Sequence, residues 1–338
     1  MTARTWESIL NLDNARARPV LPIRHLRSGA EASRVTVFTS DSTLSGTHRS
    51  PAPSPIISRL GPTSDATTGR SDAMPSSNGR GQPSGRSAGA TTMSIAAIYG
   101  ATLVSVNGTY DDVNRLCSEI ADNYKWAFVN INMRPYYAEG SKTLGFEAAE
   151  QFGWQTPDHA VVPAASGALY TKIWKGFEEF YDLGLLNGKV NTHMHLAQPE
   201  GCSPIVSAWN EKSPQIIPVK PNTVAHSLAI GNPADGIYAL KLIKESDGSA
   251  IAVPESEISE GIKLLAETEG IFTETAGGVV VSSLKNLVKE KRIKKSESVI
   301  AFITGNGLKT QEAVESVVNP IEISPTFSEF EKIYSKLT

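Results

Sequence analysis

Several places in this chain carry residue types at spacings that can do chemistry. Ala165-Ser166-Gly167-Ala168-Leu169 follows an apolar run, HAVVPA (159–164), and precedes a helical pattern. A turn between a strand and a helix aims backbone N–H groups at an anion, and the helix dipole adds to them. An ordinary strand-to-helix turn has the same outline. Thr304 closes the run SVIAFITG (298–305), where a strand enters a glycine turn. Ligands of open α/β sheets collect at that end of the strands. Asn232-Pro233, inside SLAIGNPADG (227–236), is a rigid turn able to line a floor. Glu274 stands at a helix start, where the dipole favours a carboxylate whether or not it does chemistry. Arg134 is one of three arginines after residue 92, and a planar guanidinium suits a phosphate; an exposed loop arginine reads the same way. His193 and His195 share one face of a strand, but the sequence offers no third ligand for a metal. A partly buried strand face is the favoured reading. His226 could reach a site formed by the segment after it.

The elements that must position these residues alternate. The sequence predicts strands over 101–106, 126–131, 159–164, 193–198, 251–254 and 298–305. It predicts helices from Asp111 or Asp112 to about Asn123, then over 142–152, 169–183, 203–209, 256–268 (capped by Ser256) and 276–290. Short apolar strands between helices predict an α/β fold, with a mostly parallel sheet covered on both faces.

Composition divides the chain. Residues 1–92 hold 11 Arg, no Lys and 6 acidic residues, whereas residues 93–338 hold 3 Arg, 18 Lys and 29 acidic residues. At the second part's lysine frequency the first would hold roughly seven. The stretch 40–92 is rich in Ser, Thr, Pro and Gly and has almost no apolar periodicity, so it cannot offset its ordering entropy. Only Trp6–Leu12 and Arg34–Phe38 suggest a helical turn and a strand. The first part reads as a disordered extension or as a frameshifted start that has replaced a real lobe; the second reading is favoured. The net charge of -3 makes no case for nucleic acid, and no apolar run is long enough to span a membrane. No secretory signal opens the chain. Cys117 and Cys202 are too few for a disulfide framework, so a cytoplasmic location is expected.

The region from about 97 to 318 resembles threonine synthase, a pyridoxal-phosphate enzyme of the tryptophan-synthase-β fold. The matching stretches are IYGATLVSVNGTYDDVNRLCSE, FVNINMRPYYAEGSKTLGFE, VVPAASGALYTKIWKGF, GCSPIV, VKPNTVAHSLAIGNPADG, TEGIFTETAGGV and ITGNGLKT, in family order. The resemblance implies a three-layer α/β fold with mostly parallel sheets, incomplete at the N-terminus. Its divisions are a non-matching, largely disordered 1–92, the remainder of a smaller lobe over 93–150, a large cofactor lobe over 151–318, and a tail with a short helix over 319–338. It places the phosphate of pyridoxal 5'-phosphate on Ala165, Ser166, Gly167, Ala168 and Leu169, and the pyridine nitrogen on Thr304. Arg134, Asn232 and Glu274 are candidates for the substrate. Many relatives have Asn at the place of Arg134 and Arg at the place of Tyr137, so the phosphate ligand does not carry over directly. Lys142 reads as a helix-face lysine.

The resemblance also implies a reaction, O-phospho-L-homoserine and water to L-threonine and phosphate, with a small phosphorylated amino acid as partner; a homodimer is compatible with it. Threonine dehydratase, cysteine synthase and cysteate synthase share the cofactor elements and remain alternatives. One element is missing. The family's Schiff-base lysine lies in a GPTxSFK-like motif ahead of the matching region. Here Gly61-Pro62-Thr63 leads into SDATTGR, without lysine, and Ser76-Ser77-Asn78-Gly79 only echoes the loop that grips the cofactor's 3'-oxygen. The first lysine of the chain is Lys125. The expectation is a threonine-synthase-like lyase that is inactive as it stands, or a non-catalytic remnant.

Overall fold

The apolar runs of the second part lie side by side and point one way. The computed structural model describes Val35–Thr39, Asp65–Thr68, 102–106, 108–124, 135–318 and 320–337. Its strands are β1 (Val35–Thr39), β2 (Asp65–Thr68), β3 (Thr102–Ser105), β4 (His159–Pro163), β5 (His193–Pro199), β6 (Ser249–Val253) and β7 (Val299–Ile303). Its α-helices are α1 (Tyr110–Asn123), α2 (Pro135–Gly140), α3 (Lys142–Gln151), α4 (Ala168–Asp182), α5 (Pro204–Asn210), α6 (Gly236–Glu245), α7 (Glu255–Glu269), α8 (Thr275–Lys289) and α9 (Phe327–Leu337).

The main sheet has the order β1-β7-β4-β5-β6, and every pairing in it is parallel. Chain order runs β4, β5, β6 in one direction, and β7 then returns to the other side of β4. The crevice between β4 and β7 is therefore the point where the winding reverses, the usual ligand position in such sheets. The β1 pairing agrees with the strand expected near Arg34–Phe38. β2, within the stretch expected to be irregular, pairs antiparallel with β3. The expected strand at 126–131 lies outside the described residues, as does the helical turn at Trp6–Leu12.

Alternating strand residues bury on opposite faces, and this makes three layers. Val161, Ala197, Val299, Ala301 and Ile303 pack with Val279, Val280 and Leu284 of α8 and with Ile258 and Leu265 of α7. Ala160, Val162, Met194, Leu196, Ile300 and Phe302 face the other way, against Tyr170, Ile173 and Phe177 of α4 and Ala239, Leu242 and Ile243 of α6. Tyr170 is fully buried, and its hydroxyl donates to the Met194 carbonyl at 2.9 Å. Tyr170→Phe is expected to cost about 1 kcal/mol, the net worth of one buried hydrogen bond, read as a shift of the urea midpoint. Among the described residues, no helix is long and apolar enough to cross a membrane.

Helix starts differ from expectation in two places. α1 is capped by Thr109, with Asp112 reaching back to the Thr109 N–H at 2.8 Å to complete a capping box; Asp112 is thus the third helical residue rather than the cap. α7 starts after Pro254, not Ser256, and has no side-chain cap. Its Glu255 instead accepts from the Gly201 and Val224 amides and the Thr223 hydroxyl, which ties two loops to the helix start. α6 was not expected as a helix. Leu242 and Ile243, with Ala239, give it a buried face.

Candidate active site

The loop after β4 and the residue after β7 meet because β4 and β7 pair, with Val161 opposite Ala301. The β4 loop crosses into α4 through Gly167, whose φ of +94° lies in the left-handed region, where a Cβ is strained. That conformation turns successive peptide groups toward one side, and the Ser166 hydroxyl accepts from the Ala168 N–H at 3.3 Å. A Cβ on Gly167 would also come within 3.1 Å of the Asp235 carbonyl oxygen. The Asp235 N–H in turn donates to the Ser166 carbonyl at 3.0 Å, so the GNPADG turn braces the loop from behind. Gly167→Ala is expected to cost roughly 1–2 kcal/mol for the left-handed residue alone, measurable as a lowered melting temperature, and to weaken binding of any anion seated on the loop.

A cavity of about 200 Å³ opens at this end of the sheet. Ala165, Ser166, Gly167, Ala168 and Leu169 line it, together with Thr304, Glu274, Ala276, Ser227, Leu228 and Ser141. The starts of α4 and α8 both reach the cavity, so two helix dipoles present their positive ends to it. That field suits a dianion. Glu274 opposes it in part: its side chain is 5% exposed and its Oε2 lies 2.9 Å from Lys309 Nζ. The Glu274 N–H donates to the Gly305 carbonyl at 3.0 Å, and a Cβ on Gly305 would run into Glu274 Oε1. The glycine after Thr304 thus lets the carboxylate sit against the β7 turn.

Not every expected residue belongs here. Asn232 is exposed and does not line the cavity. Arg134 lies outside the described residues. His226 is half-buried and stands beside the lining pair Ser227 and Leu228 without joining it. Lys142 serves the helix face: its Nζ lies 2.8 Å from both Glu139 and Glu179. Ser227 sits inside the SLAIGNPADG motif and Ser141 just ahead of α3. Neither could be assigned from the sequence, because only the folded loops carry them to the β4 end. Among the described residues, no lysine lines the cavity.

The histidines occupy the opposite, N-terminal end of the strands. His159 Nδ1 is 3.0 Å from His195 Nε2, His159 Nε2 is 3.0 Å from Glu297 Oε2, and His195 Nδ1 is 2.6 Å from Ser249 Oγ. Burial lowers the pKa of both rings, that of His195 to about 3. Among the described residues, no group of His, Cys, Asp and Glu is arranged to hold a metal.

The sequence profile of the family described as "Pyridoxal-phosphate dependent enzyme" matches residues 83–305. The chain belongs to this family of pyridoxal-phosphate-dependent enzymes. A threonine synthase of Methanocaldococcus jannaschii is 36% identical over 244 residues, covering 72% of this chain and 60% of that protein. One of Methanosarcina acetivorans is 38% identical over 223 residues, covering 66% and 54%. The chain therefore spans little more than half the length of these relatives. Among solved structures, the diaminopropionate ammonia lyase of Escherichia coli matches with a TM-score of 0.53 at 20% identity, covering 67% of this chain and 60% of that one. Maize serine racemase matches with a TM-score of 0.50 at 13% identity, covering 73% and 68%. These likenesses agree with the parallel α/β fold.

The cofactor of this family, pyridoxal phosphate, has a phosphate end, a ring and an aldehyde end. The left-handed Gly167 turn and the converging helix starts suit a phosphate, and Thr304 lines the same cavity. Among the described residues, the lining holds no amine to meet the cofactor's aldehyde end.

Proposed function

We propose that this chain is a threonine-synthase-type protein whose cleft takes pyridoxal phosphate and a phosphorylated amino acid, and that as it stands it does not turn over. The intact reaction would convert O-phospho-L-homoserine and water to L-threonine and phosphate. The observation that carries the reading is the meeting of the 165–169 loop, Thr304 and Glu274 in one cavity, in a chain similar over most of its length to threonine synthases. The loop amides and the α4 dipole would hold the cofactor phosphate. The Thr304 hydroxyl would face the ring nitrogen; a hydroxyl does not force that nitrogen to be protonated, which tempers the ring as an electron sink. When bound, the cofactor supplies the electron withdrawal that labilises bonds at the substrate's α and β carbons. Glu274, held by Lys309, and Arg134 would orient the amino acid and its phosphate.

Calorimetry on the full chain with excess cofactor tests the substrate class. O-phospho-L-homoserine is expected to bind measurably better than L-serine or L-threonine, because the two helix dipoles reward an extra dianion. A preference for unphosphorylated serine or threonine would instead favour a dehydratase-like site.

A further inference from the structure

Residues 211–235 connect α5 to α6 through a 3-10 turn, His226–Leu228, without a strand or an α-helix. A connection of this length keeps one shape only where specific bonds hold its backbone. This one carries Ser227 and Leu228 to the cavity wall. Ala225 and Leu228 are buried in the core together with residues of α7 and α8, which sets the depth of the turn. The backbone just before the turn is held by a carboxylate.

That carboxylate is Glu255. It opens α7, directly after Pro254 and the end of β6, so it stands at the ligand-collecting end of the sheet. The helix start favours its charge. Its Oε1 accepts from the Gly201 N–H at 3.1 Å, and its Oε2 accepts from the Val224 N–H and the Thr223 hydroxyl, each at 2.9 Å. The Thr223 hydroxyl in turn accepts from the Ala225 N–H at 3.0 Å. From there the bonds run into the wall. The His226 N–H donates to the Val224 carbonyl at 3.0 Å, and the Leu228 N–H to the Ala225 carbonyl at 2.8 Å. The Asn222 N–H donates to the Gly201 carbonyl at 2.9 Å, and a Cβ on Gly201 would run into the Asn222 carbonyl. The connection thus lies close on the loop after β5, and an unbroken set of hydrogen bonds leads from Glu255 through Thr223 to the turn that carries Ser227 and Leu228.

We propose that Glu255 and Thr223 are positioning residues of the cleft, and that they hold the 225–228 turn in the place where Ser227 and Leu228 wall the cavity. The inference rests on the reading of the cavity as the site of a phosphorylated ligand. It gives the two sides of the site different duties. A bare phosphate needs the 165–169 amides and the helix starts. A ligand that carries a ring or a carbon chain beyond its phosphate must also fit the 227–228 wall, so that ligand alone feels the loss of the Glu255–Thr223 relay.

Two measurements on the full chain test this. Calorimetry compares inorganic phosphate with pyridoxine 5'-phosphate, which has the ring and the phosphate without an aldehyde that would label surface lysines. Amide hydrogen exchange, read by mass spectrometry, follows the wall without any ligand. Thr223→Val keeps the shape of the side chain and removes both hydroxyl bonds. It is expected to raise the dissociation constant of pyridoxine phosphate about tenfold, on the scale of one hydrogen bond, and to speed exchange over 224–230 about tenfold. Phosphate affinity and exchange over 165–169 should not change. Thr223→Ser restores both bonds and should behave as the wild type. Glu255→Gln sets an amide N–H against a donor and should act in the same direction as Thr223→Val. The double variant should lose less than the sum of the two, because both act through one relay. The proposal is overturned if the two affinities fall together, if pyridoxine phosphate binding or exchange over 224–230 is unchanged in Thr223→Val, or if serine fails to rescue. A wild-type chain that binds no pyridoxine phosphate would instead sink the reading of the cavity, and the exchange result then decides the positioning claim alone.

Discussion

Acidification from pH 7.5 to pH 4 is expected to remove about 3 kcal/mol of folding stability through His195 alone. The side chain is 2% exposed, so solvent screening does not dilute the effect. The hydrogen-bond chain fixes its protonation. The Glu297 carboxylate can only accept, so His159 donates from Nε2 and accepts at Nδ1. His195 then donates from Nε2 and accepts the Ser249 hydroxyl at Nδ1. Both rings are neutral in this arrangement. Adding a proton to either sets two N–H groups against each other or forces Ser249 to turn away. Arg292, Asp158 and His193 are the other charged or titratable groups that act on the pair. The direction follows from the pKa values: burial lowers that of His195 from 6.5 to about 3, and it lowers that of His159 as well. A group that prefers to be neutral in the fold contributes its full stability above its unfolded pKa and loses it as pH falls toward the folded one. Glu297, held at about 2 mainly by the Lys294 amide, adds to the acid loss below its ordinary range. Urea unfolding at a series of pH values would read the effect as a falling midpoint that begins near pH 6.5. In His195→Asn most of this slope should vanish, whatever the variant's stability at pH 7.5. A midpoint independent of pH between 7.5 and 5 would show that the rings do not remain neutral in the fold.

The histidine chain also shows where sequence reading stops. His193 and His195 were readable as one strand face, because side chains alternate along a strand. His159 joins them only through the register of β4 on β5, which sets His159 opposite His193, and register between strands 34 residues apart leaves no local signal. The strands themselves were legible: four of the apolar runs became β4, β5, β6 and β7 with ends shifted by a residue or two. The cleft was legible for a related reason. A doubly wound sheet brings its strand C-termini together, so the loop after Pro163 and the threonine after Ile303 had to meet once β4 and β7 were neighbours. What failed was local. α6 begins at Gly236, directly after a Pro-containing turn and without a capping side chain, so the usual start signals were absent even though its apolar spacing was present. Asn232 drew attention as part of that turn. In the fold Asp235, three residues on, supports the loop through its backbone, and Asn232 is exposed.

Treating the full chain with excess pyridoxal phosphate and then borohydride is expected to give no single, stoichiometrically modified lysine. The argument rests on which amines can reach the cleft. The first 92 residues contain no lysine, and the residues lining the described cavity contain none. Among the described residues, Lys309 touches the lining: its Nζ lies 2.9 Å from Glu274 Oε2, on a half-exposed side chain. The ion pair directs that amine at the carboxylate rather than toward an incoming aldehyde. Binding should then depend on the phosphate end, where loop amides and two helix starts supply charge-assisted hydrogen bonds. Such binding is reversible, so dialysis should strip the cofactor, and inorganic phosphate should compete with it. Peptide mapping after reduction should find scattered surface lysines or none, and O-phospho-L-homoserine should release no phosphate above the cofactor-only background. A single labelled lysine at one equivalent per chain would overturn the expectation and identify the amine that serves the cleft. Lys309→Ala would then separate two cases: loss of the label would place that amine at the Glu274 pair, and persistence would place it among the residues outside the described cavity.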